Sequence, residues 1–294
     1  MSKELNFGEI FDGKTKLFEF NDEENKKGEL FLKNNNINKK FICFIVRTAE
    51  YNKVYGTPEQ VRREGTVRKF MNVNSKSYIP ALEYLLNSGN TVIRMGKGFS
   101  DPFPYSHPNF FDYAISSERS DFLDVWLSAN CYFFFGTNNG PISLPSVFLK
   151  PFLATNAFPL GGMHSYIPNS VHLPRVVQQS GKLLNIKEQV ALDVIKQING
   201  VYYEEKGLQI LENTSEDILN AVKDIENKIT NGFFVNDLNM KFWNNMEKDW
   251  KPEFFHQNIK RKKTSFDDFH KIKGINTTIP DFYLNKYSDL LLHY

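Results

Sequence analysis

The chain has 294 residues, and its 36 basic and 34 acidic side chains give a formal net charge of +2. With 24% charged residues, this balance argues against a nucleic-acid-binding protein with a basic surface and against a disordered acidic chain. Two cysteines exclude a disulfide scaffold, and no apolar run approaches the roughly 20 residues that span a bilayer. The N-terminal residues do not resemble a secretory signal, so we expect a globular cytoplasmic protein.

Strands and helices are predicted to alternate along the first half of the chain. Continuous apolar runs of strand length indicate buried strands at 41–47, 91–95, 110–115, 132–135 and 151–155. Helix-start signals or helical spacing predict helices at 21–32, 77–86, 120–130 and 144–149. Such alternation is typical of a parallel sheet with right-handed crossovers. We therefore predict an α/β fold, a parallel Rossmann-like sheet flanked by helices.

The remaining segments are less regular. Three segments without a clear hydrophobic periodicity are predicted as a polar lead-in at 1–17, a long functional or mobile loop at 48–74 and a connection at 156–174. Further elements are predicted as helices at 187–198 and 215–229 and a strand at 207–211. The basic cluster Lys260-Arg-Lys-Lys263 is expected to be a solvated face. We predict a Rossmann-like domain over 18–230 and a helical C-terminal extension over 231–294.

Three features fall where ligands bind in such sheets, at the carboxyl ends of the strands. Arg47 closes the first strand, where a guanidinium could grip a phosphate or form a strand-end salt bridge. The segment 136–140 follows the fourth strand and could hold an anion or form an ordinary turn. Asp124 lies in an otherwise apolar helix, where a partly buried carboxylate needs a donor such as a guanine edge.

Other kinds of site are disfavoured. The chain contains no Asp-x-Asp pair, no P-loop and no Gly-x-Ser-x-Gly elbow, and its six histidines lack zinc-ligand spacing. Cys43 and Cys131 are expected to be core residues. We therefore expect neither a metal nor a cofactor.

Taken in order, these features resemble a family of bacterial glycosyltransferases associated with surface polysaccharides. The matching blocks are Phe41-Ile-Cys-Phe-Ile-Val-Arg47, Ser77-Tyr-Ile-Pro-Ala-Leu82, Gly89-Asn-Thr-Val-Ile-Arg-Met-Gly96, Asp112-Tyr-Ala-Ile-Ser116, Arg119-Ser-Asp-Phe-Leu-Asp124, Phe134-Phe-Gly-Thr-Asn-Asn-Gly140 and Lys150-Pro-Phe-Leu-Ala-Thr-Asn156. A more distant similarity connects the chain to fucosyltransferases that use GDP-fucose. The resemblance implies the donor-binding half of a GT-B fold and metal-independent sugar transfer from a nucleotide sugar, with a GDP-sugar favoured.

The resemblance also implies roles for individual residues. Arg47 would stabilise the departing diphosphate as the catalytic residue, assisted by Arg94 or by a basic residue of the 48–74 loop. Asp124 would read the base. The phosphate turn would consist of Thr137, Asn138, Asn139 and Gly140. The implied partners are a nucleotide sugar and a glycan or other acceptor, and a partner chain or second copy could supply the acceptor side.

The chain departs from the family pattern in ways that leave a second reading open. Ile45 stands where a histidine is usual, Thr48-Ala49 where Asp-Ser is usual, and Asn138-Asn139 where Ser-Ser is usual. The 71–74 segment lacks the usual Arg-Asn-x-Asp, and only 40 residues precede the first strand. The alternative is therefore a non-catalytic or partner-dependent binding module that kept the fold. No base is evident, although Glu50 and Glu118 lie near the predicted site, and no residue pair supports an epimerase.

Overall fold

The computed structural model describes residues 18–38, 40–66, 68–165, 167–249 and 275–294. Its centre is a six-stranded sheet in which all neighbours are parallel, in the order β3-β2-β1-β4-β5-β6. The strands are β1 (Phe41–Ile45), β2 (Thr91–Arg94), β3 (Phe110–Phe111), β4 (Phe134–Thr137), β5 (Phe152–Ala157) and β6 (Ser170–Pro174). The predicted parallel Rossmann-like sheet is thus confirmed.

The central strand β1 is buried on both faces, as its continuous apolar sequence predicts. All five residues of β1 are buried. Ile42 and Phe44 belong to one core cluster, whereas Phe41, Cys43 and Ile45 belong to another. Because successive side chains point to opposite faces of a sheet, β1 supplies both cores, and no position on it can be polar without a burial cost.

Helices cover both faces of the sheet. The helices are α1 (Asp22–Asn34), α2 (Glu50–Tyr55), α3 (Pro58–Glu64), α4 (Ile79–Asn87), α5 (Asp121–Asn130), α6 (Leu144–Val147), α7 (Ile186–Ala191), α8 (Gly200–Glu205), α9 (Ser215–Asn231), α10 (Asp237–Asp249), α11 (Asp281–Lys286) and α12 (Ser288–Leu291). Helices α1 and α5 pack on one face, where a Cβ at Gly28 would collide with the Trp126 ring. Helices α4 and α9 pack together on the other face.

Several segments differ from the prediction. The predicted loop at 48–74 contains α2 and α3, and α3 begins with a capping box of Thr57 and Gln60 and with Pro58 in its first turn. The connection at 156–174 contains β6, and the helix predicted to reach residue 198 ends at Ala191, shortly before Asp193 with its left-handed φ of 53°. The strand predicted at 110–115 is only two residues long and leads into a 3₁₀ turn at Tyr113–Ile115.

The strand predicted at 207–211 exists but lies outside the parallel sheet. It is β9 (Leu208–Leu211), which pairs antiparallel with β7 (Val176–Gln179). With β8 (Lys182–Leu183) these strands form a separate three-stranded sheet in the order β8-β7-β9. The chain therefore leaves the parallel layer after β6.

The described C-terminal residues pack on the main sheet. Phe242 and Trp243 of α10 belong to the same core cluster as α4 and α9, and the Trp243 indole N–H donates to the carbonyl oxygen of Thr277 at 3.0 Å. Thr278 forms a parallel bridge with Val171 of β6. The domain boundary at residue 230 stays a prediction. The predicted lead-in at 1–17, Trp250 and the basic cluster at 260–263 lie outside the described residues. None of the helices in the described ranges is both long and apolar enough to cross a membrane.

Candidate functional site

The strand order reverses between β1 and β4. The chain proceeds outward from β1 through β2 to β3, and in the other direction from β4 through β5 to β6. In open parallel sheets, ligands bind in the crevice at the carboxyl ends of the strands beside such a switch point. A cavity of about 660 Å³ lies there, and its wall includes Arg47, Arg119, Asp124, Asn139 and Gly140. Four of the seven predicted site residues thus meet at one cavity, together with Arg119.

Arg47 is held by both its main chain and its side chain. Its backbone N–H donates to Thr137 Oγ1 at 2.6 Å, which ties the end of β1 to the end of β4. Its Nη2 donates to Glu64 Oε1 at 2.7 Å. Arg47 Nε is buried and has no hydrogen-bond partner among the described residues. The strand-end salt bridge considered from the sequence is present, while a phosphate contact stays a prediction.

Glu64 is the partner that sequence reasoning missed. It is 5% exposed at the end of α3, and its Oε1 also accepts a hydrogen bond from Asn52 Nδ2 at 2.6 Å. Asn72 Nδ2 approaches Oε2 at 3.5 Å. No local signal marks Glu64, because the pairing joins residues 17 positions apart within a segment that was predicted as a loop.

Asp124 is paired within the chain. Arg119 donates from Nη2 to Asp124 Oδ2 and to Asp121 Oδ1, and from Nε to the carbonyl oxygen of Gly96 at 3.0 Å. Burial raises the pKa of Asp124, and the Arg119 guanidinium opposes this rise. Asp124 Oδ1 is buried without a hydrogen-bond partner in the described part of the chain. From the sequence we expected that the Asp124 carboxylate needs a hydrogen-bond donor. Arg119 supplies that donor to Oδ2.

The turn after β4 is divided between the cavity and the sheet. Asn139 and Gly140 line the cavity, whereas Thr137 is buried and its Oγ1 accepts hydrogen bonds from Arg47 and from Asn139 Nδ2. Asn138 does not line the cavity, and its N–H donates to the carbonyl oxygen of Thr155 at 3.0 Å. Two of the four residues therefore face the cavity, and the predicted phosphate-binding role of this turn stays a prediction.

Glycine at position 136 permits this close approach of β4 to β1. Gly136 has a φ of 150°, and a Cβ there would collide with the carbonyl oxygen of Ile45. A side chain at this position would separate the two strands that bear Arg47 and Thr137.

Arg94 does not line the cavity. Its Nη1 donates to both carboxylate oxygens of Asp112, at 3.1 and 2.9 Å, and its guanidinium lies 4.1 Å from the centre of the Phe99 ring. Arg94 is 6% exposed. Asp112 already pairs with this cation, and a donor-binding role for Arg94 stays a prediction.

The cavity wall is rich in cations. Its charged side chains are Arg47, Arg68, Lys97, Arg119, Asp121 and Asp124. With Glu64 paired to Arg47 behind the wall, these four cations meet three carboxylates, and the remaining positive charge favours an anionic ligand. The aromatic rings of Tyr51 and Phe99 also line the cavity and offer flat apolar surface.

Buried polar atoms without partners cluster in the same wall. Within the described ranges, Arg47 Nε, Thr48 Oγ1, Asp124 Oδ1 and Asn139 Oδ1 lack a hydrogen-bond partner from the protein. An unsatisfied buried polar group costs about 1–3 kcal/mol, so native proteins keep few of them. Their concentration at one cavity is typical of a polar binding site.

The base candidates from the sequence lie outside this wall. Glu50 lines a neighbouring groove, and Glu118 accepts a surface hydrogen bond from Asn35 Nδ2 at 3.1 Å. Among the described residues, no group of three or more His, Cys, Asp or Glu side chains is placed to hold a metal ion.

Comparisons with known proteins give one distant similarity. No protein-family model and no curated protein matches the chain. The structure is similar to the crystal structure of the glycosyl transferase family 9 from Veillonella parvula DSM 2008, with a TM-score of 0.40 and 10% sequence identity. The similarity covers 71% of this chain and 52% of that one, so the chain spans about half the length of that structure.

Proposed function

We propose that the chain binds a nucleotide sugar in the cavity between β1 and β4 and acts as a glycosyltransferase. The observation that carries the proposal is the cationic cavity at the switch point, where Arg47 and Arg119 converge from different elements. A volume of about 660 Å³ is within the range of small-molecule sites, roughly 300–1,000 Å³. The arginine and lysine side chains of the wall give such a ligand charged groups to bind.

The diphosphate is assigned to the cations. Arginine binds phosphate oxygens through its planar fork of donors, and Arg47 has donors beyond the one that Glu64 uses. During transfer, the oxygen of an acceptor hydroxyl forms a bond to the anomeric carbon, and the hydroxyl proton passes to water or to the departing diphosphate. The bond from that carbon to the phosphate oxygen breaks, and the diphosphate leaves with the electron pair. Arg47, Arg119 and Lys97 would offset the charge of the leaving group without a metal.

The base is assigned to the region of Asp124. The Asp124 side chain is 26% exposed at the cavity, and a carboxylate is an acceptor suited to the N1–H and amino group of guanine, whereas uracil and thymine offer a single ring N–H. The nearby rings of Tyr51 and Phe99 could stack on a base. A GDP-sugar is therefore the proposed donor, with synthesis of a surface polysaccharide or another glycan as the proposed setting.

Calorimetric titration of the chain with GDP, UDP, CMP and dTDP tests the proposal. We expect micromolar binding of GDP that is unchanged by magnesium or by a chelator. Arg47→Ala should weaken GDP binding about tenfold, equivalent to about 1.4 kcal/mol. The matched control is Arg62→Ala, since Arg62 is exposed, pairs with Glu59 and lies outside the cavity. Absence of binding to every nucleotide would contradict the proposal.

One observation favours the alternative of a binding module without transferase activity. Both carboxylates in the cavity wall, Asp121 and Asp124, are paired with Arg119, so neither is a ready general base. Release of GDP from GDP-sugars, with water or with saccharide acceptors, separates the two functions. Tight nucleotide binding without any GDP release would favour the module, and a partner chain would then be the expected source of the acceptor side.

A further inference from the structure

We propose that Glu64 is a positioning residue that orients Arg47 and thereby makes nucleotide binding depend on the second phosphate. The inference rests on the proposed function, because it concerns the same cavity. It adds a residue that does not line the cavity and that acts on the second phosphate through Arg47.

The first support is the way Glu64 is held. Its side chain is 4% exposed, against 17% for that of Arg47, so the ion pair is largely shielded from water. The amide of Asn52 donates to the same Oε1 that accepts from Arg47. A buried carboxylate is stable only when its charge is matched and its oxygens accept hydrogen bonds, and Arg47 with Asn52 provides both.

The second support is the set of donors that Arg47 keeps. Glu64 accepts from Nη2 only, while Nε is buried and has no partner among the described residues. A guanidinium has five N–H donors in one plane. Fixing one corner of that plane on Glu64, while Thr137 fixes the main chain, sets the direction of the remaining donors. The ion pair therefore orients Arg47 and still leaves other N–H donors of its guanidinium without a protein partner in the described ranges.

The third support is the segment that the ion pair closes. Arg47 and Glu64 bracket residues 48–63, which include α2 and all of α3 except its last residue, Glu64. Tyr51, Asn52 and Gln60 from this segment form part of the cavity wall. Loss of the ion pair would free the guanidinium and release the end of α3 from β1, so one carboxylate fixes both a cation and one side of the site.

The expected effect is selective for the diphosphate. If Glu64 orients Arg47 toward the second phosphate, removing it should lower affinity for GDP and leave affinity for GMP nearly unchanged. We expect Glu64→Ala to reduce the ratio of GDP to GMP affinity about tenfold, equivalent to about 1.4 kcal/mol. Glu64→Gln keeps an acceptor oxygen but loses the charge, so it should retain part of that ratio. A defect in folding alone would change both affinities together.

The experiment is calorimetric titration of GDP and GMP into the full chain carrying Glu64→Gln, Glu64→Ala, Arg47→Ala or the double change Arg47→Ala/Glu64→Ala. The matched control is Glu59→Gln, since Glu59 lies on α3 with an exposed side chain. In the Arg47→Ala background, loss of Glu64 should have no further effect on the affinity ratio. Thermal melts identify unfolded variants, and Glu64→Gln then provides the test if Glu64→Ala does not fold.

The outcomes separate the two proposals. If the wild-type chain binds GDP and the Glu64 variants keep its ratio of GDP to GMP affinity, the role of Glu64 is overturned while the proposed function stands. An additive double variant would overturn it as well. If the wild-type chain binds no nucleotide, both proposals fail.

Discussion

Replacement of Arg119 by methionine should destabilise the protein in a pH-dependent manner. Arg119 donates to Asp124, Asp121 and the carbonyl oxygen of Gly96, and its side chain is 14% exposed. Methionine keeps much of the apolar length of the side chain but supplies no donor. The change therefore removes hydrogen bonds while leaving most of the packing of the cavity wall.

The three contacts of Arg119 differ in how much they contribute to the free energy of unfolding. The Asp121 side chain is 83% exposed, so water screens its ion pair with Arg119 and this pair contributes little to stability. Asp124 is 26% exposed, and a hydrogen bond to such a charged group contributes about 1.5–3 kcal/mol. The Gly96 carbonyl adds a neutral acceptor worth about 1 kcal/mol. We expect a loss of about 3 kcal/mol in the free energy of unfolding at neutral pH, dominated by Asp124.

The pH dependence follows from Asp124. Burial raises its pKa in the folded protein, and Arg119 limits the rise. Between the pKa of the unfolded chain and the raised folded value, the folded state binds more protons, so stability falls as the pH increases. Without Arg119 the folded pKa of Asp124 rises further, and this window extends upward. The destabilisation by Arg119→Met should therefore be larger at pH 8 than at pH 5.

Urea unfolding of the wild type and Arg119→Met at both pH values measures this difference. The matched control is Arg62→Met, which removes an exposed arginine and should change stability by less than about 0.5 kcal/mol at either pH. Equal destabilisation at pH 5 and pH 8 would refute the reasoning, since it would mean that Arg119 does not stabilise the ionised form of Asp124.

Three further predictions concern the strand ends. Gly136→Ala should lower the free energy of unfolding in urea by more than about 3 kcal/mol, because its Cβ collides with β1. The control Gly140→Ala has no atom within 4 Å of its added Cβ and should change that free energy by less than about 1 kcal/mol, so similar values for the two variants would refute the close approach of β4 to β1. Tyr78→Phe should lower the free energy of unfolding by about 1–3 kcal/mol, since its buried hydroxyl shares a 2.6 Å hydrogen bond with Thr155 Oγ1, and an unchanged urea midpoint would contradict this. Thr137→Val removes the acceptor for the backbone N–H of Arg47 and should weaken GDP binding about threefold to tenfold by calorimetry, while Thr137→Ser should retain most of the affinity.

The parts of the fold that could be predicted from the sequence are those with a local cause. The apolar run of β1 follows from burial on both faces, and the helix that begins after Thr214 follows from a capping box with Asp217. Strand β6 was missed because Ser170, His172 and Pro174 interrupt its apolar character. Its burial depends on β5 on one side and on Thr278, more than 100 residues away, on the other.

The meeting of several candidate residues at one cavity could be anticipated from the sequence, while their roles stay predictions. Arg47, Asn139 and Gly140 follow strands, so the rule that ligands bind at strand ends located them without any knowledge of side-chain contacts. That rule does not give the partners of a charged group. The pairing of Glu64 with Arg47, and of Arg119 with Asp124, depends on how α3 and α5 begin and end relative to the sheet.

The contact between Thr278 and β6 bears on how this protein can associate with other chains. An outermost strand normally presents a row of free N–H and C=O groups that another strand can extend. Here Thr278 accepts from the N–H of His172 and donates to the carbonyl oxygen of Ser170, so the backbone of β6 is already engaged. At the opposite margin, β3 is only two residues long. The two described margins of the parallel sheet thus offer few free backbone groups with which a strand of another molecule could pair.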